Sequence, residues 1–128
     1  MAAVLLALAG GAAAMPAAPA SEQVRAGEAV YARCVACHAL AYDRTGPRHC
    51  GLFGRRAGSV PGFAYSPAMR RSGIVWDART LDRFLNDPTG AVPGTSMGYA
   101  GVKDGKERAA LIAYLKQANG TPDCTGTK

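Results

Sequence analysis

The chain has 128 residues, 48% hydrophobic but only 7% aromatic, which fits one domain whose core is thin in large side chains. Fifteen Lys and Arg against nine Asp and Glu give a net charge of +6, yet no basic run exceeds two residues, which argues against a polybasic membrane patch. No internal repeat is visible.

Met1 to Ala20 contains no charged residue. Val4 to Ala9 is strongly apolar and small residues follow, with Ala-x-Ala cleavage patterns at Ala12–Ala14 and Ala18–Ala20. This is the pattern of a secretory signal, although the basic region that normally precedes the apolar stretch is missing, as it would be if translation began upstream of Met1. The competing reading is a retained anchor, but the stretch is short of the roughly 20 residues that a spanning helix needs. All charges lie after Ala20, so residues 21–128 form the expected mature domain and keep the net charge. A basic chain can meet nucleic acid, anionic lipid or an acidic protein face; export argues against the first.

A first helix is expected over about Glu22 to Cys34, with Ser21 as N-cap and Glu22 in the first turn. Gly27 falls inside it. An interior Gly costs about 1 kcal/mol relative to Ala, so its presence predicts close approach by another backbone. At the end of this helix stands Cys34-Val35-Ala36-Cys37-His38. Two thiols spaced by two residues, with a histidine directly after, read as a c-type haem attachment site. Each thiol can add across one vinyl group of a haem edge, and one helical turn presents both sulfurs to that edge. The next residue, His38, then aims its imidazole at the iron. A zinc knuckle would need a second Cys/His pair at ligand spacing, and a thioredoxin-like pair would need a βαβ setting; the sequence offers neither.

Ala39 to Phe63 reads as a loop rich in Gly. Ser66 followed by Pro67 opens a short second helix that Gly73 closes. Asp77 caps a third, about Ala78 to Asn86, with Leu81, Phe84 and Leu85 on one face and Pro88 as the stop. A second loop, Pro88 to Lys103, carries Val92-Pro93-Gly94-Thr95-Ser96-Met97. The fourth helix is the clearest: Asp104-Gly105-Lys106-Glu107 forms a capping box, Leu111, Ile112, Leu115 and Ala118 recur at helical spacing, and Asn119-Gly120 ends it. Tyr114 on that helix is placed to pack at Gly27. No strand pattern competes, so the fold class is all-α, about four helices around one covalently attached haem c.

An iron held by one histidine needs a sixth ligand or stays open for chemistry. Met97, Met69 and His49 are the candidates in the mature chain. Met97 ends a loop stiffened by proline, and a thioether raises the potential of haem iron.

At this point the chain resembles the class I cytochromes c over about Ala26 to Asn119. The motifs that carry the resemblance occur in order: CVACH at 34–38, Thr45-Gly46-Pro47, Gly51-Leu52-Phe53-Gly54-Arg55, Pro61-Gly62-Phe63-Ala64-Tyr65-Ser66, Gly73-Ile74-Val75-Trp76, Pro93 to Met97, and Arg108 to Leu115. The resemblance implies haem c joined to Cys34 and Cys37, His38 as proximal ligand and Met97 as distal ligand. It implies that Pro47 packs on His38, with a neighbouring carbonyl accepting the imidazole N–H. It implies that Tyr65 and Trp76 donate to a haem propionate, with Arg55 near enough to balance its charge. Two positions depart from the family: Phe84 stands where many relatives have a tyrosine that bonds the methionine sulfur, and Met69 where many have an asparagine. Both changes predict a drier pocket with fewer donors.

Cys50 and Cys124 remain after haem attachment. An even cysteine count in an exported chain suggests pairing, and Cys50 occupies a place where the family often has a histidine tying two loops together. The alternatives are two free thiols or an intermolecular link. The function implied is a periplasmic, monomeric one-electron carrier and not an enzyme. It would dock transiently on redox partner proteins with an acidic face, with no nucleic acid and no stable membrane insertion after signal cleavage. Candidate docking charges are Arg33, Arg70, Arg71, Arg79, Lys103 and Lys106. The alternative is a haem protein with a labile distal ligand, gas-binding or peroxidase-like.

Overall fold

The computed structural model describes residues 10–13 and 19–126. The expected signal segment, Met1 to Ala20, lies for the most part outside the described residues. Among the described residues six helices are formed: α1 Pro19–Tyr31, α2 Pro67–Arg71, α3 Ala78–Asn86, α4 Pro88–Ala91, α5 Gly105–Ala118 and α6 Pro122–Thr125. Among the described residues there is no strand, only an isolated bridge between Arg56 and Val75. The chain is all-α, as the sequence predicts.

The first helix differs from expectation at both ends. It starts at Pro19, so Ser21 lies inside it and is not its N-cap; proline suits the first helical position because it has no N–H to leave unpaired. It ends at Tyr31, and tighter bonds from Arg33 N–H to Val30 O (3.0 Å) and Cys34 N–H to Tyr31 O (2.8 Å) carry the chain into the next turn. The three later helices start where their caps predict. Ser66 accepts from Met69 N–H, and Asp77 and Thr80 form a reciprocal capping box. Asp104 accepts from the N–H groups of Lys106 and Glu107. The return arm of that last box is not made by Glu107, whose carboxylate instead takes both guanidinium nitrogens of Arg33 at 2.7 and 2.8 Å. Two short helices, α4 and α6, interrupt what reads as loop and tail. Each begins with a proline, and Asp87 caps α4 by accepting from Gly90 N–H at 3.1 Å.

The main packing contact is α1 against α5, and Gly27 makes it possible. A Cβ there would lie 1.9 Å from Ala110 O and 2.8 Å from Tyr114 Cβ, so the backbones meet where the sequence places them. Leu111, Ile112, Leu115 and Ala118 on α5 and Leu81 and Phe84 on α3 are buried. All but Ala118 join Val30, Tyr31, Leu52, Met69, Trp76, Val92 and Val102 in one core.

Candidate haem site

Cys34 to His38 form a single turn, with Cys34 O accepting from Cys37 N–H (3.1 Å) and His38 N–H (2.9 Å). That turn opens on a cavity of about 230 Å³, lined largely by apolar side chains. Cys34, Cys37, His38, Arg55, Tyr65, Trp76 and Met97 all line it, so the residues singled out from sequence converge on one space. Neither Cys34 nor Cys37 is drawn into a disulfide. Among the described residues no group of three or more His, Cys, Asp or Glu is assembled to hold a metal ion, which leaves the zinc reading without donors.

His38 is fixed from behind. Its Nδ1 is 2.8 Å from the carbonyl oxygen of Pro47, a hydrogen bond that leaves Nε2 for a ligand. Burial pushes the imidazole pKa below its ordinary value, only partly opposed by the Pro47 bond, so the ring stays neutral. Gly46 allows this approach, since a Cβ there would lie 2.2 Å from His38 Cε1. The loop that carries Met97 is braced by Thr95, which donates its N–H to Val92 O (3.0 Å) and accepts Met97 N–H on Oγ1 (3.3 Å). Phe84 and Met69 are buried and line the same cavity, with Phe84 against Trp76 at 5.1 Å between ring centres.

Arg55 and Trp76 are joined through the backbone: Trp76 N–H bonds Arg55 O at 2.9 Å and Gly54 N–H bonds Trp76 O at 2.8 Å. The Arg55 guanidinium donates to Cys50 O (3.1 Å) and Arg48 O (2.9 Å), and burial lowers its pKa from the usual arginine value. Tyr65 Oη accepts from Val60 N–H at 3.2 Å and keeps its own proton to give.

Two features were not legible beforehand. His49, considered from sequence only as a sixth ligand, stacks on His38 with ring centres 4.3 Å apart and planes 21° apart. It stands beside His38 and not across the cavity from it. Burial, with the His38 ring and Arg55 adding to it, lowers the His49 pKa to about 3. Asn119, read as a helix C-cap, also reaches back to the 49–51 loop, donating to His49 O (3.1 Å) and accepting from Gly51 N–H (2.6 Å). Next to this clamp Cys50 and Cys124 meet, with Cα atoms 5.1 Å apart, inside the range a disulfide requires.

The family model for cytochrome c matches residues 24–119. The chain belongs to the cytochrome c family. Among its relatives it is 43% identical over 103 residues to a cytochrome c2 of Blastochloris viridis, covering 78% of this chain and 81% of that one. It is 43% identical over 97 residues to cytochrome c-550 of Nitrobacter winogradskyi, covering 73% of this chain and 89% of that one. The solved structure of cytochrome cH from Methylobacterium extorquens superposes with a TM-score of 0.71 at 41% identity, over 73% of this chain and 97% of that one. This cytochrome c therefore has covalently bound haem c as its cofactor and electron transport as its work. The cavity fits that group: an apolar slot, two cysteines outside any disulfide and an imidazole on one turn, and a thioether on a braced loop. No helix among the described residues is long and apolar enough to cross a membrane.

Proposed function

We propose that this cytochrome c is an exported one-electron carrier, with haem c joined through Cys34 and Cys37 and ligated by His38 and Met97. The observation that carries the reading is that these four side chains, from two distant parts of the chain, line one cavity. The haem supplies an iron that takes up and gives back one electron. The protein holds the ligands still and excludes water. Burial favours the neutral form of His38, and the Pro47 carbonyl aims its ring. Buried Met69 and Phe84 add no donor, so the expected slot stays dry. Tyr65, Trp76 and Arg55 share a wall of the cavity and are the residues we assign to the haem propionates.

Residues 21–128 are the proposed mature domain, released into the periplasm as a monomer after the signal segment is removed. Arg70, Arg71, Arg79 and Lys106 are exposed and are the proposed docking charges for a partner with an acidic face. Arg33 is engaged by Glu107 and the Lys103 ammonium by Asn86 O at 2.7 Å, which makes both poorer docking groups. We propose a disulfide between Cys50 and Cys124, supported by the meeting of the two side chains.

The ligation is tested by absorption spectroscopy. Ferric protein is expected to show the far-red Met–Fe(III) charge-transfer band. Met97→Ala should lose the band and gain carbon monoxide binding. Retention of the band in Met97→Ala would overturn the ligand assignment, and ready carbon monoxide binding by the unaltered protein would favour the gas-binding or peroxidase-like alternative.

A further inference from the structure

The side of the cavity behind His38 carries more machinery than a resting place for one ligand requires. His49 lies nearly flat against the His38 ring. Its Nδ1 is 3.1 Å from the Tyr31 hydroxyl, on the last residue of α1, and the two rings meet edge-on. Its backbone is fixed at both ends, by His49 N–H to Ala39 O (3.2 Å) and by Asn119 Nδ2 and Leu52 N–H (3.1 Å each) on His49 O. The flanking carbonyls of Arg48 and Cys50 are both taken by Arg55. The main chain on either side of the ring is therefore tied.

Two imidazoles stacked face to face restrict one another's rotation. Pro47 O fixes the Nδ1 edge of His38, but a single hydrogen bond still allows the ring to pivot about it. A flat plate against the ring face removes that freedom.

We propose that His49, held by Tyr31, is a positioning residue that sets the plane of the proximal His38 ring. The proposal rests on His38 being the iron ligand. It assigns to His49 no contact with substrate and no proton transfer. Orientation of a ligand ring by its outer partners is a general means of tuning a metal centre; here the partner acts on the ring face and not through a hydrogen bond to it.

The test uses the holoprotein. Paramagnetic proton NMR of the ferric state reports the ring plane through the spread of haem-methyl shifts, and a redox titration reports the potential. Hyperfine-shifted ring signals assigned to His38 in the unaltered protein support the ligation; their absence overturns that reading and not the stacking. Given those signals, His49→Ala is expected to rearrange the haem-methyl pattern while haem content and the Met charge-transfer band persist. It should also change the one-electron equilibrium at least threefold, about 28 mV at 59 mV per tenfold. Tyr31→Phe keeps both rings and releases only the tether, so it should move the pattern in the same sense by less. It also keeps the test open if His49→Ala fails to fold. Lower thermal stability in both variants, with pattern and potential unchanged, would mean that His49 is packing alone and would overturn the proposal.

Discussion

Replacing Gly27 with alanine tests the contact on which the haem turn is built. The new Cβ would sit 1.9 Å from Ala110 O, 2.5 Å from Ala110 C and 2.8 Å from Tyr114 Cβ. Two of these are main-chain atoms of α5, which no rotamer change can move away. To reach ordinary contact the helices must separate by about 1.5 Å, since carbon neighbours sit at roughly 3.5 to 4.0 Å. Overpacking costs about 1 to 3 kcal/mol and more in rigid places, and this clash with backbone belongs at the upper end. Alanine returns about 1 kcal/mol of helix propensity over glycine. The net loss is then about 2 kcal/mol, a fall in Tm of roughly 9 °C for a domain of this size. The assay is thermal and denaturant unfolding of the ferric holoprotein followed in the haem absorbance. Gly105→Ala is the control: in the first turn of α5 its Cβ would make only ordinary contact, with Arg108 Nη2 at 3.4 Å, so it should stay within about 0.5 kcal/mol of the parent. A Gly27→Ala protein as stable as the parent would refute the claim that the backbones meet there.

Removing the proposed disulfide with Cys50→Ala and Cys124→Ala should cost up to about 4 kcal/mol on the chain-entropy account for a loop of ~75 residues. If both thiols of unreduced, unfolded protein react with iodoacetamide, there is no bond to lose. Glu107→Gln frees Arg33 from an exposed pair, so stability should change little. Association with an acidic partner, measured by stopped flow, should quicken and depend more steeply on salt. Asp104 has a carboxyl held below its ordinary pKa by the N–H groups of Glu107 and Lys106. A depressed pKa gives stability that is present above the unfolded value near 3.8 and is lost as pH falls through the folded one. Asp104→Asn keeps a good cap without the charge, and its acid-unfolding curve should be flatter below about pH 4. Met69→Asn buries an amide in the cavity that Phe84, a side chain with no donor or acceptor, also lines, and should cost about 1 to 3 kcal/mol. Adding Phe84→Tyr should return part of that, seen as a favourable coupling in a double-mutant cycle.

Three helix starts were legible because a capping side chain and its N–H partner are three residues apart at most: Ser66, Asp77 and Asp104 each do what local chemistry dictates. Gly27 was legible because a glycine inside a helix has a cost that needs a reason. What was not legible depends on partners distant in sequence. Nothing local says that Glu107 would leave its capping box for Arg33, 74 residues away. Asn119 gives its C-cap signal to α5 and its side chain to a loop 70 residues earlier. His49 looked like a ligand candidate because a histidine near a haem motif suggests coordination. Its actual position follows from the loop bonds that turn its ring towards His38, and no spacing rule contains those.

The two sides of the cavity are held by different means. Behind His38 the ties are long-range: α1 packs on α5, Tyr31 reaches His49, Asn119 clamps the 49–51 loop, and Cys124 meets Cys50. Around Met97 the main-chain braces are short-range, from Val92 through Thr95 to Met97 itself, with the exposed Arg33 side chain reaching Tyr99 beside them. Long-range ties fail only when the whole domain opens, whereas a loop braced by its own residues can open by itself. The proposed proximal ligand therefore shares the stability of the fold, and the proposed distal ligand has its own, lower threshold. Denaturant should release Met97 before it releases His38, so the Met charge-transfer band should fade at a lower concentration than the one at which the helices melt. Coincident loss of band and helix would mean that the Met97 loop is held by the same cooperative unit as α1 and α5.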